Sequence, residues 1–494
     1  MASSIDHHHQ QQQQQLHFIL IPLMSQSHII PLTDFAKLLA QHGVFVSIVT
    51  TPLNAIRYRG VIEFAKTQNL KIKMIPIKFP CLEAGLPDGC ENMDALSPEL
   101  SMAFFRACQM LQGPLENLIQ ELNPKPSCIV STNAIPWTQK VADKFNIPRY
   151  NFETVSCFTL LCSHKLSLVQ KESVVSDGES FLVPNIPHEI EFTKSQLPKV
   201  HVNGSDNFED IIDDMKRARD SARGTLLNSF QELEPWYLDN YREVVGNVWC
   251  VGPVSLCNKE NSEKSNRGNQ AAADEHYYFT TWLDSMRPKS VVYACFGSLC
   301  RISPTQIKEI GLGLEKSGFP FIWIIRKQDD TEQVGRWLAE DGFEERVRGR
   351  GLVVRGWAPQ VLILAHPSVG GFLTHCGWNS SLEGICAGVP MITWPMFAEQ
   401  FYNEKFIVNV LGIGVRVGVE RCVGGYDEES GGLVKCDQVR IAVMKVMDDG
   451  VDGSERRKRA EGLAEMATDA VENGGSSYRN LTMLIRDVTE QVRL

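Results

Sequence analysis

Short apolar, β-rich runs alternate with helical stretches from the beginning of the chain. His17–Leu23, Phe45–Thr51, Lys71–Ile77 and Cys128–Ser131 read as strands, and alternation of this kind predicts a parallel sheet with helices on both faces. After the first strand, His28 falls in a turn before a helix expected beyond Pro31, in which Leu32, Phe35, Leu38 and Leu39 lie on one face, and Gly43 is placed to end that helix in a left-handed conformation. The alternation then gives way to a polar, charged stretch without apolar periodicity, residues 257–276. This stretch predicts an exposed connection between two compact units.

Beyond it the pattern restarts. Val291–Phe296, Phe321–Ile325, Leu352–Arg355, Gly371–Thr374 and Met391–Trp394 predict a second sheet. Ser303-Pro304-Thr305-Gln306 has the form of a capping box with Pro at the first helical position. The expectation is α/β throughout: a tail over 1–15, a first domain over 16–256, a linker over 257–276, a second domain over 277–476 and a closing helix over 477–494 that packs back towards the first domain. Two doubly wound units of this kind can border one cleft with the carboxyl ends of their strands, where ligands bind.

The 494 residues exceed what one core usually supports, which agrees with two domains. A net charge of -10 and a pI near 5.7 argue against a nucleic-acid partner, because such affinity comes from Lys and Arg on phosphates. The 14 cysteines lack a Cys-x-x-Cys pair or zinc-like spacing, which points to reduced thiols in the cytoplasm and to no metal site. The apolar run Leu16–Met24 is too short to span a bilayer. His7–His9, followed by a glutamine run, read as a disordered tail.

The candidate chemistry concentrates in Trp357–Gln400, WAPQVLILAHPSVGGFLTHCGWNSSLEGICAGVPMITWPMFAEQ. Trp357 offers a flat face to a base. His375 ends a strand, and Asn379–Glu383 open a helix whose free N–H groups attract phosphate. Ser298, in a Gly-Ser turn after Val291–Phe296, is a second phosphate candidate. Ser380 to Glu383 also fits a capping box, in which Glu383 would reach back to the N-cap amide. Glu399 and Gln400 begin a helix after Pro395 and supply acceptors and donors for a ring of hydroxyls.

This 44-residue block, from Trp to Gln, resembles the hallmark of the plant UDP-dependent glycosyltransferases that decorate small metabolites. The resemblance extends to PLMSQSHIIP around His28 and to Cys295–Ser298 in ACFGS. It implies the GT-B arrangement, two Rossmann-like domains facing a central cleft, with donor held mainly by the second domain and acceptor by the first. It assigns Trp357, Ala358 and Gln360 to uracil, Glu383 to ribose, His375 and Ser298 to the diphosphate, and Trp378, Glu399 and Gln400 to the sugar. A final Gln in that family goes with UDP-glucose, as co-substrate and without a further cofactor.

The same resemblance makes His28 the base that takes the acceptor proton. Its usual Asp partner is replaced by Thr132, which carries no negative charge to stabilise a protonated His28. Three readings stand: His28 works with Thr132 or water on readily ionised acceptors, Glu83 or Asp94 substitutes for the acid, or the chain binds donor without useful turnover. The expected reaction is inverting transfer of glucose to a hydroxyl or carboxyl of a hydrophobic metabolite such as a triterpenoid or flavonoid, by a monomer. Phe79–Asp94 and Phe152–Leu168 are expected to line the acceptor pocket. A nicotinamide oxidoreductase is disfavoured because no strand leads into Gly-x-Gly-x-x-Gly, and a glycosidase because it needs no nucleotide site.

Overall fold

The computed structural model describes residues 15–169, 179–198, 206–268, 273–422 and 432–493. Most of the expected tail, including His7–His9, and residues 269–272 of the expected linker lie outside them.

The first unit is built on β1 (His17–Ile21), β2 (Phe45–Thr50), β3 (Ile72–Pro76), β4 (Cys128–Thr132) and β5 (Arg149–Glu153). A small antiparallel ribbon of β6 (Ser180–Leu182) and β7 (Glu191–Thr193) follows, then β8 (Gly224–Leu227) and β9 (Val248–Cys250). The sheet is parallel, in the order β3-β2-β1-β4-β5-β8-β9. The second unit comprises β10 (Val291–Cys295), β11 (Phe321–Ile325), β12 (Gly351–Arg355), β13 (Val369–Thr374), β14 (Met391–Thr393) and β15 (Gly414–Arg416). It is also parallel, ordered β12-β11-β10-β13-β14-β15. In both sheets the strand order reverses beside the first strand, so a topological switch point falls where β1 meets β4 and again where β10 meets β13.

Apolar side chains cover both faces of the first sheet. Ile19, Phe104 and Trp137 belong to one buried cluster, and Phe18, Phe35 and Phe152 to the other. The helix Ser476–Arg493 returns to the first unit, adding Leu481, Leu484 and Val488 to that second cluster. A third cluster runs through the second unit and takes in Cys157, Phe158 and Leu161 from the first, with Phe158 stacked on Phe406 at 5.0 Å. The two units therefore share a continuous apolar seam.

Gly43 adopts φ +82° at the end of the first helix, as its position predicts. Ser303 accepts the Gln306 N–H at 3.2 Å ahead of Pro304, the first residue of the helix Pro304–Ser317. Two expectations fail. The first helix, α1 (Gln26–Gln41), begins at Gln26 rather than after Pro31, so His28 lies in its first turn and not in a loop. The described part of the linker is only partly exposed. Residues 261–266 form a helix, and Asn258, Glu263 and Ser265 are buried. Two of its polar groups are spent on α1: Asn258 donates to Asp34 at 2.9 Å, and Glu263 lies 3.6 Å from Lys37.

Candidate active site

The carboxyl ends of β1 and β10 meet across a cleft, and three of the polar contacts that bridge it involve α1 or its cap. Ser298 Oγ donates to Asp94 Oδ1 at 3.0 Å. Asp94 also accepts from Ser25 Oγ at 3.0 Å and, through Oδ2, from the Gln26 N–H at 2.9 Å, which caps α1 in place of the N-cap Ser25. Asn379 Nδ2 donates to the Ser27 carbonyl at 2.7 Å. That carbonyl is free because its partner four residues on is Pro31, which has no N–H. The third contact runs through the linker, where the buried Arg267 bonds Asp34 on α1 at 2.6 Å and Glu383 in the second unit.

His28 is half-buried, and its Nδ1 has no hydrogen-bond partner. Burial lowers its pKa to about 4, and no carboxylate opposes the shift. The imidazole is thus neutral at physiological pH and able to accept a proton. Thr132 does not bond it. Its Oγ1 accepts the Leu23 N–H at 3.0 Å, fixing the end of β1. Neither proposed substitute acid serves His28. Glu83 is exposed, with Lys78 at 3.8 Å, and both oxygens of Asp94 are engaged by Ser25, Gln26 and Ser298.

The donor candidates gather on the facing wall. The helix Trp378–Cys386 starts one residue before the expected position, with Gly377 as N-cap, so its first-turn N–H groups open onto the cleft end of β13. His375 stands beside it, its pKa lowered to about 3 by burial and then by the charge of Arg326. Two glycines allow the chain to fold tightly around this ring. A Cβ on Gly297 would lie 2.5 Å from His375 Cε1, and one on Gly377 2.4 Å from Nε2. Side chains at either position would displace the imidazole.

Glu383 does not close a capping box. One oxygen takes Arg267 and the other accepts Gln360 Nε2 at 2.7 Å, while Ser380 Oγ accepts the same nitrogen at 3.0 Å. Trp357 is half-exposed and Ala358 is buried beside it. Trp378 is buried, its Nε1 donating to the Asn228 carbonyl at 2.8 Å, and its backbone N–H points to Glu399 at 3.4 Å. Gln400 turns its oxygen to the Met396 and Phe397 N–H groups at 2.8 and 3.1 Å. Its amide nitrogen has no partner among the described residues.

Two cations of the site are not evident from the sequence pattern. Arg326 directly follows the apolar run Phe321–Ile325, pairs with the buried Asp329 and donates to the Ser298 carbonyl at 2.9 Å. A lone Arg closing a buried strand is the available signal. Arg267 gives none, because it lies in the stretch that reads as solvated. The expected acceptor-pocket segments are only partly met: Phe79 is buried against Phe104, whereas Asp94 reaches the cleft.

Two facing α/β sheets, with a neutral histidine on one and a helix N-terminus, a cation and a buried carboxylate on the other, fit a transferase for a nucleotide-activated group. Residues 14–256 match the glycosyltransferase N-terminal domain family and residues 267–422 the UDP-glucoronosyl and UDP-glucosyl transferase family. The chain is 49% identical to UDP-glycosyltransferase 73C3 of Arabidopsis thaliana, over 96% of each sequence. It is 47% identical to UDP-glycosyltransferase 73C11 of Barbarea vulgaris, over 99% of each. Among solved structures, Glycyrrhiza uralensis UGT73P12 complexed with glycyrrhetinic acid 3-O-monoglucuronide superposes with a TM-score of 0.89 at 37% identity, covering 97% of this chain and 96% of that one. Medicago truncatula UGT71G1 complexed with UDP-glucose gives 0.77 at 26%, covering 96% and 98%. The chain belongs to the plant family 1 UDP-glycosyltransferases, enzymes of GT-B fold that transfer a sugar from a UDP-sugar to an acceptor.

Proposed function

We propose that this enzyme transfers glucose from UDP-glucose, with inversion, to a readily ionised hydroxyl or carboxyl of a hydrophobic plant metabolite of the triterpenoid or flavonoid class. The observation that carries the reading is His28, a neutral base whose Nδ1 is buried without a partner, on α1, which is bonded through Ser27 and Asp94 to the donor wall. The acceptor oxygen attacks the anomeric carbon of the α-linked sugar, its proton passes to His28, and the bond from that carbon to the β-phosphate oxygen breaks. UDP then leaves towards the N–H groups of the helix Trp378–Cys386, His375, Ser298 and the charge of Arg326, which offset its growing negative charge. The product is a β-glucoside, and no cofactor beyond the donor enters this scheme.

Trp357 takes uracil with Ala358 and Gln360, Glu383 takes ribose, and Asn379 and Ser380 stand at the phosphate end. Glu399 and the unpartnered amide of Gln400 take glucose, with the Trp378 backbone. UDP-glucose in the Medicago neighbour supports the donor, and the ligand of the Glycyrrhiza neighbour supports a bulky acceptor. All fourteen cysteines are free thiols, which supports a cytoplasmic enzyme, and we take it to act as a monomer. No helix among the described residues is long and apolar enough to cross a membrane.

The missing acid beside His28 favours a second reading, a donor-binding protein of weak turnover. One assay separates them: UDP-glucose is incubated with phenols, triterpenoid acids and aliphatic alcohols, and products are followed by mass spectrometry and anomeric NMR coupling. The transferase reading requires β-glucosides, formed fastest on the more acidic acceptors. UDP binding without any product from the panel would favour the second.

A further inference from the structure

A groove of 430 Å³ opens on the first unit between the helices Ser101–Met110, Thr138–Phe145 and Asp206–Ser221. Every residue lining it comes from the first unit, and neither His28 nor any donor-site residue is among them. Its volume lies within the range of small-molecule pockets, about 300–1,000 Å³.

Apolar and polar surface share the wall in nearly equal parts, with Met102, Phe105 and Trp137 on the apolar side. Trp137 is 6% exposed, and its Nε1 is buried without a hydrogen-bond partner. An indole N–H can only donate, so this atom calls for an acceptor brought from outside the chain. At the rim, Arg106 and Lys140 are exposed and pair with no described residue. Asp214 is already neutralised by Arg217 at 2.6 Å, which leaves Asp210 as the opposing charge. The rim is therefore net positive.

We propose that this groove is a second small-molecule site, which takes a flat apolar ring system carrying an anionic acceptor group such as a carboxylate or sulfonate. The rings lie on Met102 and Phe105, an acceptor oxygen satisfies Trp137 Nε1, and Arg106 with Lys140 offsets the charge. The proposal does not depend on the transfer chemistry, so either can fail without the other.

The test titrates the full chain with 1-anilinonaphthalene-8-sulfonate, read by fluorescence, first without UDP and then with UDP at saturation. One saturable site is expected. The exposed pair Arg106→Ala and Lys140→Ala should weaken it about tenfold, since bonds to charged groups are the stronger kind. Trp137→Phe, which keeps the apolar wall and loses the donor, should weaken it about fivefold. The uncharged analogue N-phenyl-1-naphthylamine should bind more weakly than the sulfonate. Unchanged affinity in the Arg106/Lys140 variant, displacement of the probe by UDP, or binding that never saturates would overturn the proposal. The surface variant keeps the test decisive even where Trp137→Phe fails to fold.

Discussion

His28 is a base whose strength is set by burial alone. With its pKa near 4 it is neutral, and so competent, from about pH 5 upward, and it holds a proton weakly once it has taken one. Acceptors that ionise readily suit such a base. His28→Ala should lower kcat by about 10²–10⁴-fold while UDP still raises the melting temperature; unchanged turnover would remove His28 from the reaction. Thr132→Asp places a carboxylate at the end of β4, where negative charge favours imidazolium and raises the His28 pKa. The acid limb of the kcat profile should accordingly move to higher pH, and turnover of aliphatic alcohols should rise. A limb that stays in place would mean that position 132 does not face the ring. At this scale the sequence offers candidate residues but not the bonds they make. The Thr132 hydroxyl goes to Leu23, and Glu383 goes to Arg267 and Gln360, because both choices depend on residues distant in the chain.

Elements with clean apolar runs were legible, and those with buried polar networks were not. Residues 149–153, RYNFE, form a fully buried strand that is absent from the strands expected of the first unit. Arg149 is satisfied by Ser131 Oγ at 2.8 Å, Thr138 Oγ1 at 2.9 Å and the Ala218 carbonyl at 3.0 Å, and Asn151 by Glu153 at 2.7 Å. Hydropathy counts such residues as exposed, although three different elements absorb their charge and donors. Pro31 misled in a related way. It suggests a helix that starts after it, whereas α1 runs through it and hands the stranded Ser27 carbonyl to Asn379. This exchange predicts coupling between two residues of different units. Asn379→Ala should destabilise by about 1 kcal/mol, and the same change in a Pro31→Ala background should cost less, because alanine restores an N–H to the helix at that position. A double-mutant cycle by chemical denaturation measures the difference, and strict additivity would mean that the Ser27 carbonyl does not take up the restored donor.

Across the whole molecule the two units are joined in two physically different ways. The seam around Phe158 and Phe406 is apolar, while the mouth of the cleft is held by Asp94 with Ser298, Ser27 with Asn379, and Asp34 with Glu383 through Arg267. The last of these is the most consequential, because Arg267 lies between two buried carboxylates, one on the helix that carries His28 and one at the predicted ribose site. Replacing it by Met leaves both acids buried without their cation, a change that typically costs about 3–5 kcal/mol. Arg267→Met should therefore lower the melting temperature by several degrees and weaken UDP binding as well. Adding Asp34→Asn removes one of the two stranded charges, so it should recover part of the stability. Donor affinity should stay low in that double variant, because Glu383 still lacks its partner. Thermal unfolding with and without UDP distinguishes these effects, and an Arg267→Met protein that melts and binds UDP like the parent would show that the linker does not hold the cleft together.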